Sequence, residues 1–313
     1  MKKSKQIIIL LIPLIFFACF YSLQAQSSNS RYIITKDNGR IIKAYNAFGD
    51  FLDSDKSWES YKKLLFDPYP EMKAVHDKQL SWGSIDSLKF PDEVNNYKKE
   101  DWEKYFTQYD DKTLNILYDS VLARENKILK PLNNNPIDLC LFLPYGGCFV
   151  IPDQDKSTIY ISLLIDPIDV QKIMVHEYAH NLHMQRHTAE PFRLAREIVA
   201  EGIAVYLTTL TITNMEIYNA IPFMPESSVK WCFANEHLIR DSIRAELKDN
   251  TMICIKKFIS DGEVASPPKG FVEKTGYFVG FRIIEACIKK GMTLEDICSS
   301  NSDEVIEKSG YFN

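Results

Sequence analysis

His176-Glu177-Tyr178-Ala179-His180 sets two imidazoles four residues apart, with a carboxylate directly after the first. On a helix, positions i and i+4 share a face, so both rings can reach a single ion through a nitrogen. Imidazole suits zinc, and Glu177 would stand beside the coordination position left open for water, where a carboxylate can accept a proton. The chemistry this permits is metal-assisted hydrolysis. Two histidines at this spacing also fit an ordinary solvated or core-facing helix, so the surrounding elements must decide.

Those elements favour a built site. Thr158–Ile165 reads as the clearest strand in the chain. Asp166 then suits a helix N-cap, Pro167 the first helical position, and Asp169 the positive end of the helix dipole. Ile173, Val175, Ala179 and Leu182 supply apolar surface, and the helix is expected to run to about His187, with both histidines in its middle. A catalytic zinc needs a third protein ligand. His183 and His187 continue the same face, but at 1.5 Å rise per residue His187 lies about 16 Å from His176, beyond the same ion. They are assigned solvated or supporting places. A second helical pattern over Phe192–Leu210 contains Glu197 and Glu201. If the two helices pack antiparallel around a turn near 188–190, the histidine pair lies about 13 Å before the turn, Glu201 about 15 Å after it and Glu197 about 9 Å. Glu201 sits at the better level and is preferred as the third ligand, with Glu197 the alternative. Glu197, one turn away on the same face, is placed to hydrogen-bond a ligand. Gly202 and Ala204 would let this helix approach the histidine helix closely.

His176-Glu177-x-x-His180 followed by Glu201-Gly202-x-Ala204-x-Tyr206 resembles the gluzincin group of zinc metallopeptidases. It is especially similar to a bacterial family of predicted zinc-dependent proteases. The metzincin pattern fails, because His183 and Arg186 stand where it has Gly and His. The resemblance implies an α+β, mostly helical, zincin-like fold with a small sheet ahead of the motif helix. It implies Zn2+ held by His176, His180 and Glu201, with Glu177 as general base. It also implies a peptide or protein substrate lying beside the Thr158–Ile165 strand as the sheet edge. The best-known gluzincins carry Asp four residues after the third ligand; Val205 stands there in this chain, and Glu197 is the substitute supporting group. Gly276-Tyr277-x-x-Gly280 resembles a later segment of the same protease family, which makes Tyr277 the candidate for stabilising an oxyanion. A reading from another class is an exported binding or assembly factor that keeps the zinc scaffold without turnover. The retained Glu177 weighs against it.

The rest of the chain bounds these readings. Its 313 residues, 45% hydrophobic and 25% charged, are those of a globular protein, and a net charge of −5 gives no support for nucleic-acid binding. Lys2, Lys3 and Lys5, the apolar Ile7–Leu23 and the small Ala25 form a secretory leader, expected to be cleaved after Ala25. The product would be periplasmic or secreted. Cys19 within Phe16-Phe17-Ala18-Cys19 offers a weaker lipoprotein alternative, and Pro13 makes the apolar run short for a spanning helix. Membrane association follows only if this segment is retained or lipidated. Beyond Cys19, six cysteines remain: an even number permits disulfides, and their apolar surroundings fit free buried thiols equally. Residues 26–130 read as a mainly helical N-terminal region, with Arg40–Tyr45, Trp58–Leu65, a segment through Met72 and His76, Asp101–Phe106 and Thr113–Lys130 at helical spacing. The lone His76 reads as packed or surface-exposed. After the turn-rich Pro131–Pro136, Ile137–Phe142 and Cys148–Ile151 read as strands, and the metallopeptidase domain is expected over 131–313. Further helices are expected at Ser227–Lys248, Asn250–Ser260, the segment from Lys274 to Lys290, and around Leu294–Ile297.

Overall fold

The structure is a computed structural model that describes residues 31–82, 97–100, 102–103, 109–143, 146–153, 155–163, 167–187 and 190–313. The leader, Cys19, Asp166 and most of Asp101–Phe106 lie outside the described residues. The fold is α+β and mostly helical, with one small sheet ahead of the motif helix. Among the described residues, no helix is long and apolar enough to cross a membrane.

The sheet is built from β1 (Tyr32–Ile34), β2 (Arg40–Lys43), β3 (Ile137–Phe142), β4 (Cys148–Ile151) and β5 (Ser157–Ser162), in the order β1-β2-β3-β5-β4. Every residue of β3 and of β5 is buried, as expected of parallel strands covered on both faces. Asp138 breaks the apolar run of β3 and is fully buried. It is satisfied by the Arg40 backbone N–H at 2.9 Å, by Arg40 Nε and a terminal guanidinium nitrogen at 3.1 and 2.6 Å, and by Lys156 Nζ at 3.0 Å. The parallel pairing of β2 with β3 therefore joins sequence on both sides of residue 130 into one sheet.

Two expectations about strands are corrected. Arg40–Tyr45, whose apolar spacing predicts a helix, begins as β2; Ile41 and Ile42 pair with Leu139 and Cys140 at zero to two per cent exposure. Apolar neighbours in so short a run satisfy either period, and the β-branched side chains tip it to strand once a partner is available. The second correction concerns the sheet edge. Thr158–Ile165 does not lie at it: β5 is flanked by β3 on one side and by β4, antiparallel, on the other, so β4 is the edge strand beside the motif helix.

N-terminal helices α1 (Asn46–Leu52), α2 (Trp58–Tyr61, continuing as a wider π turn over Lys62–Phe66) and α3 (Glu71–Trp82) pack aromatic side chains together. His76 is buried against Trp58 and Phe66, at ring distances of 4.8 and 5.7 Å. The long α4 (Asp111–Ile128) starts at the Asp110 cap and packs on α5 (Pro167–Met184), the motif helix. Next come α6 (Leu194–Thr211), α7 (Ile217–Ala220), α8 (Glu226–Ala234), α9 (Glu236–Glu246) and α10 (Met252–Phe258). The helix expected over Ser227–Lys248 is thus two, broken at Asn235, whose side-chain amide caps the Trp231 carbonyl. The chain closes with α11 (Thr275–Lys289), α12 (Leu294–Ser299) and α13 (Ser302–Ser309). All six described cysteines are free thiols, five of them buried.

Helix α6 packs against both α5 and α11. The crossing of α6 with α11 is backbone to backbone: a Cβ on Gly202 would sit 2.3 Å from the Gly280 carbonyl carbon, and one on Gly280 would sit 2.1 Å from the Ile198 oxygen. Gly202 therefore serves an approach to α11, not to the motif helix as its place after Glu201 predicts.

Candidate active site

Helix α5 is buried nearly all round. Ile173, Met174, Val175, Ala179 and Leu182 are fully enclosed, and Tyr178 donates a hydrogen bond to Asn126 of α4 at 2.7 Å. That enclosure fixes the two histidines on a rigid element. His176 Nε2 lies 3.1 Å from His180 Nε2, and Glu201 of α6 brings one carboxylate oxygen to 3.0 Å from the first and 3.4 Å from the second. A tetrahedral ion with bonds of 2.0–2.1 Å holds its ligand atoms about 3.3 Å apart. The three donors already stand at that spacing, and among the described residues they are the one group of three or more His, Cys, Asp or Glu that could hold a metal. Two imidazole nitrogens and a carboxylate oxygen are a zinc donor set.

Glu197 is not in this group. One turn earlier on α6, it lies beside Arg196 at 3.7 Å and acts on His180 only through its charge. His183 and His187 also stay outside. Their rings are 6.1 Å apart, toward the end of α5, where Arg186 binds the Leu182 and Lys130 carbonyls and Glu295. Tyr277, by contrast, enters the site: its ring stacks on the His176 imidazole, with centroids 5.9 Å apart and planes 19° from parallel. Tyr277 begins the second half-turn of α11, three residues before the Gly280 crossing, so the glycine contact sets how deeply it reaches.

A family model described as "Predicted Zn-dependent protease (DUF2268)" matches residues 141–307, just over half of the chain. The chain belongs to this family. The match takes in the edge strand β4, the helices α5, α6 and α11, and every residue of the cluster; β1, β2 and most of β3 precede it. The family's description names zinc, the ion that the donor set fits. No curated protein and no solved structure matches the chain.

Within this family member, burial and charge divide the four groups of the site. Burial, helped by the charges of His180 and Lys274, pushes His176 down to about 4 against the pull of Glu201. Burial also opposes charge on His180, but the Glu201 carboxylate outweighs it and raises that ring to about 9. Glu201 is held well below the carboxylate range: burial works against the charge, and His180 together with hydrogen bonds from both rings overcomes it. Glu177 goes the other way. Burial lifts it to about 7, with Glu201 adding to the rise and His180 and Lys274 limiting it. Two carboxylates in one pocket thus take opposite roles, one permanently ionised beside the imidazoles and one poised near neutrality.

Residue types and spacing leave two neighbours of the site unassigned. Cys148, first residue of β4, lies close enough for the Glu177 charge to reach its thiol, which burial pushes far up. Lys274 precedes α11 and is 5% exposed; its charge acts on both His176 and Glu177. A lysine in front of Gly-Tyr-x-x-Gly carries no local signal of burial, because its partners come from distant loops.

Proposed function

We propose that this chain is an exported zinc-dependent peptidase in which Glu177 is the general base. The observation that carries the reading is the convergence of His176, His180 and Glu201 at ligand spacing with Glu177 on the next residue of the same helix. Zinc bound there would polarise a substrate carbonyl and lower the pKa of its water. His176, His180 and Glu201 would hold it. Glu177, held near neutrality by burial, accepts a proton from the attacking water and delivers it to the leaving amine. The Tyr277 phenol, kept protonated by burial, by the charges of Glu201 and Glu177 and by its hydrogen bond to Glu201, would serve as a donor for the oxyanion. Because β4, among the described residues, pairs on one side only, its other edge offers backbone groups to an extended peptide. This transfers to β4 the role that resemblance alone gives to Thr158–Ile165. Export rests on the leader of residues 1–25.

The test pairs metal analysis with turnover. Purified protein is expected to contain one zinc per chain and to cleave members of a mixed peptide library. Glu177→Gln should keep the zinc and lose about a hundredfold or more in rate. Wild type that binds no zinc, or a Glu177→Gln chain as active as wild type, would refute the proposal. Zinc binding with every peptide left intact would instead favour a non-catalytic binding factor.

A further inference from the structure

Lys274 is a buried cation that the chemistry above does not use. Its backbone is left-handed, with φ of +57°, an unfavourable conformation for a residue with a side chain, and it stands directly before α11. Its ammonium binds the Asp261 carboxylate at 2.8 Å and the Pro222 carbonyl at 3.1 Å. It also lies over two rings, 4.8 Å from the centroid of Phe223 and 5.0 Å from that of Tyr277. Phe223 is itself left-handed at +57°. Two strained non-glycine residues therefore meet at one ammonium, beside the residue that stacks on His176. Strain of this kind persists where the surroundings over-determine it, and it gathers at functional sites.

The arrangement gives the ammonium a mechanical task. Three stretches distant in sequence, around Pro222–Phe223, at Asp261 and at the start of α11, are tied at one point. Tyr277 is bound to that point twice, by its ring over the cation and by its N–H donating to the Lys274 carbonyl at 3.1 Å. The aromatic face attracts the cation while the carboxylate and carbonyl hold the cation in place. One face of Tyr277 is thus fixed by a charge and the ring is stacked on a candidate zinc ligand.

We propose that Lys274 is the positioning residue for Tyr277, holding the phenol against His176 through its clamp on Asp261, Pro222 and Phe223. The catalytic half of this proposal rests on the peptidase reading; the positioning half does not. The Asp261 side chain is 44% exposed, so it can be resolvated when the lysine is shortened or made neutral.

Two readouts separate those halves. In chains with carbon-13 tyrosine rings, kept in chelator, the Tyr277 resonance is identified by its loss in Tyr277→Phe. Lys274→Met is expected to shift it as the ring leaves the imidazole, with the other tyrosine resonances unmoved, and Lys274→Arg to keep much of the wild-type shift. On a cleaved peptide, Lys274→Met should lower kcat about tenfold or more while KM stays within about twofold, as for loss of a group that acts in the transition state. In a Tyr277→Phe background, the same change should cause no further loss of kcat. A Tyr277 resonance that stays in place in folded Lys274→Met overturns the proposal, as does a kcat loss that persists without the phenol. Should Lys274→Met fail to fold, Asp261→Asn, which removes only the outer anchor, is read by the same resonance with the same two outcomes. If wild type cleaves no peptide, the peptidase reading falls, while the resonance still decides the positioning.

Discussion

Glu177 shows how the site sets a residue against the stability of the chain. Its carboxyl, ordinarily near 4.5, is lifted to about 7 by burial. The folded state then binds this proton more tightly than the unfolded state does. Below pH 4.5 the group is neutral in both and costs nothing; between 4.5 and 7 the unfolded state ionises while the folded state resists. Above 7 the full penalty applies, about 3 kcal/mol for a shift of this size. Glu177→Gln removes the charge and should therefore stabilise the chain in excess chelator. The gain is expected to be largest at pH 8 and to vanish toward pH 4, read from urea denaturation across that range. A variant no more stable than wild type at pH 8 would show that the carboxylate is comfortably solvated where it stands. A buried carboxylate that lowers stability and titrates near neutral pH is the mark of a functional group more than of a structural one.

Among the elements, the crossing of α6 and α11 governs whether the residues meet. Gly202 and Gly280 touch through their backbones, and Tyr277 lies three residues before Gly280 on the same helix. In Gly280→Ala the new methyl meets the Ile198 carbonyl, which cannot move without its helix. The expected cost is about 1–3 kcal/mol in urea denaturation, with a fall in peptide cleavage as Tyr277 is displaced. Gly146→Ala is the control: its Cβ meets nothing within 4 Å, and its effect should stay below about 0.5 kcal/mol. A Gly280→Ala chain as stable as that control would mean that the two helices separate freely. Much of this frame was legible beforehand. Ile137–Phe142 and Cys148–Ile151 are apolar runs ended by turn residues, and their bounds hold to the residue. Glu201 could be chosen over Glu197 because helical rise alone brings it level with the histidines. What could not be read was lateral. The order of strands, which puts β4 at the edge, and the partner of Gly202 are set by contacts far apart in sequence. Arg40–Tyr45 failed for the same reason, since only the presence of β3 makes that short run a strand.

For the whole molecule, the question is whether residues 31–130 form a separable layer over the site or are part of what holds it together. The bonds crossing residue 130 argue for the second. Arg40 neutralises the buried Asp138 and binds Glu71 at 2.9 Å; Tyr118 donates to the Ile137 carbonyl at 2.6 Å; the Tyr45 N–H reaches the Leu141 carbonyl at 3.2 Å. Others reach the motif helix and the turn that follows it. Asn126 accepts the Tyr178 hydroxyl, and the Lys130 carbonyl accepts from Arg186 at 2.6 Å. At the front of the sheet, Gln79 donates to the Gly146 carbonyl just ahead of β4. Without this region β3 would present an open, apolar edge, Asp138 would keep only Lys156, and α5 would lose the surface of α4. Arg40→Met in the full chain should therefore cost about 3 kcal/mol, since it leaves a buried carboxylate short of its main partner. A chain beginning at Pro131 should lack a cooperative thermal transition and aggregate through the exposed strand edge, although it contains all of His176, His180 and Glu201. Calorimetry on that fragment, with and without added zinc, decides the matter. A sharp melt raised by zinc would show that the site folds by itself and that residues 31–130 are only its cover. A featureless trace would show that the N-terminal strands and helices are structural members of the same fold, and that the cluster depends on them for its spacing.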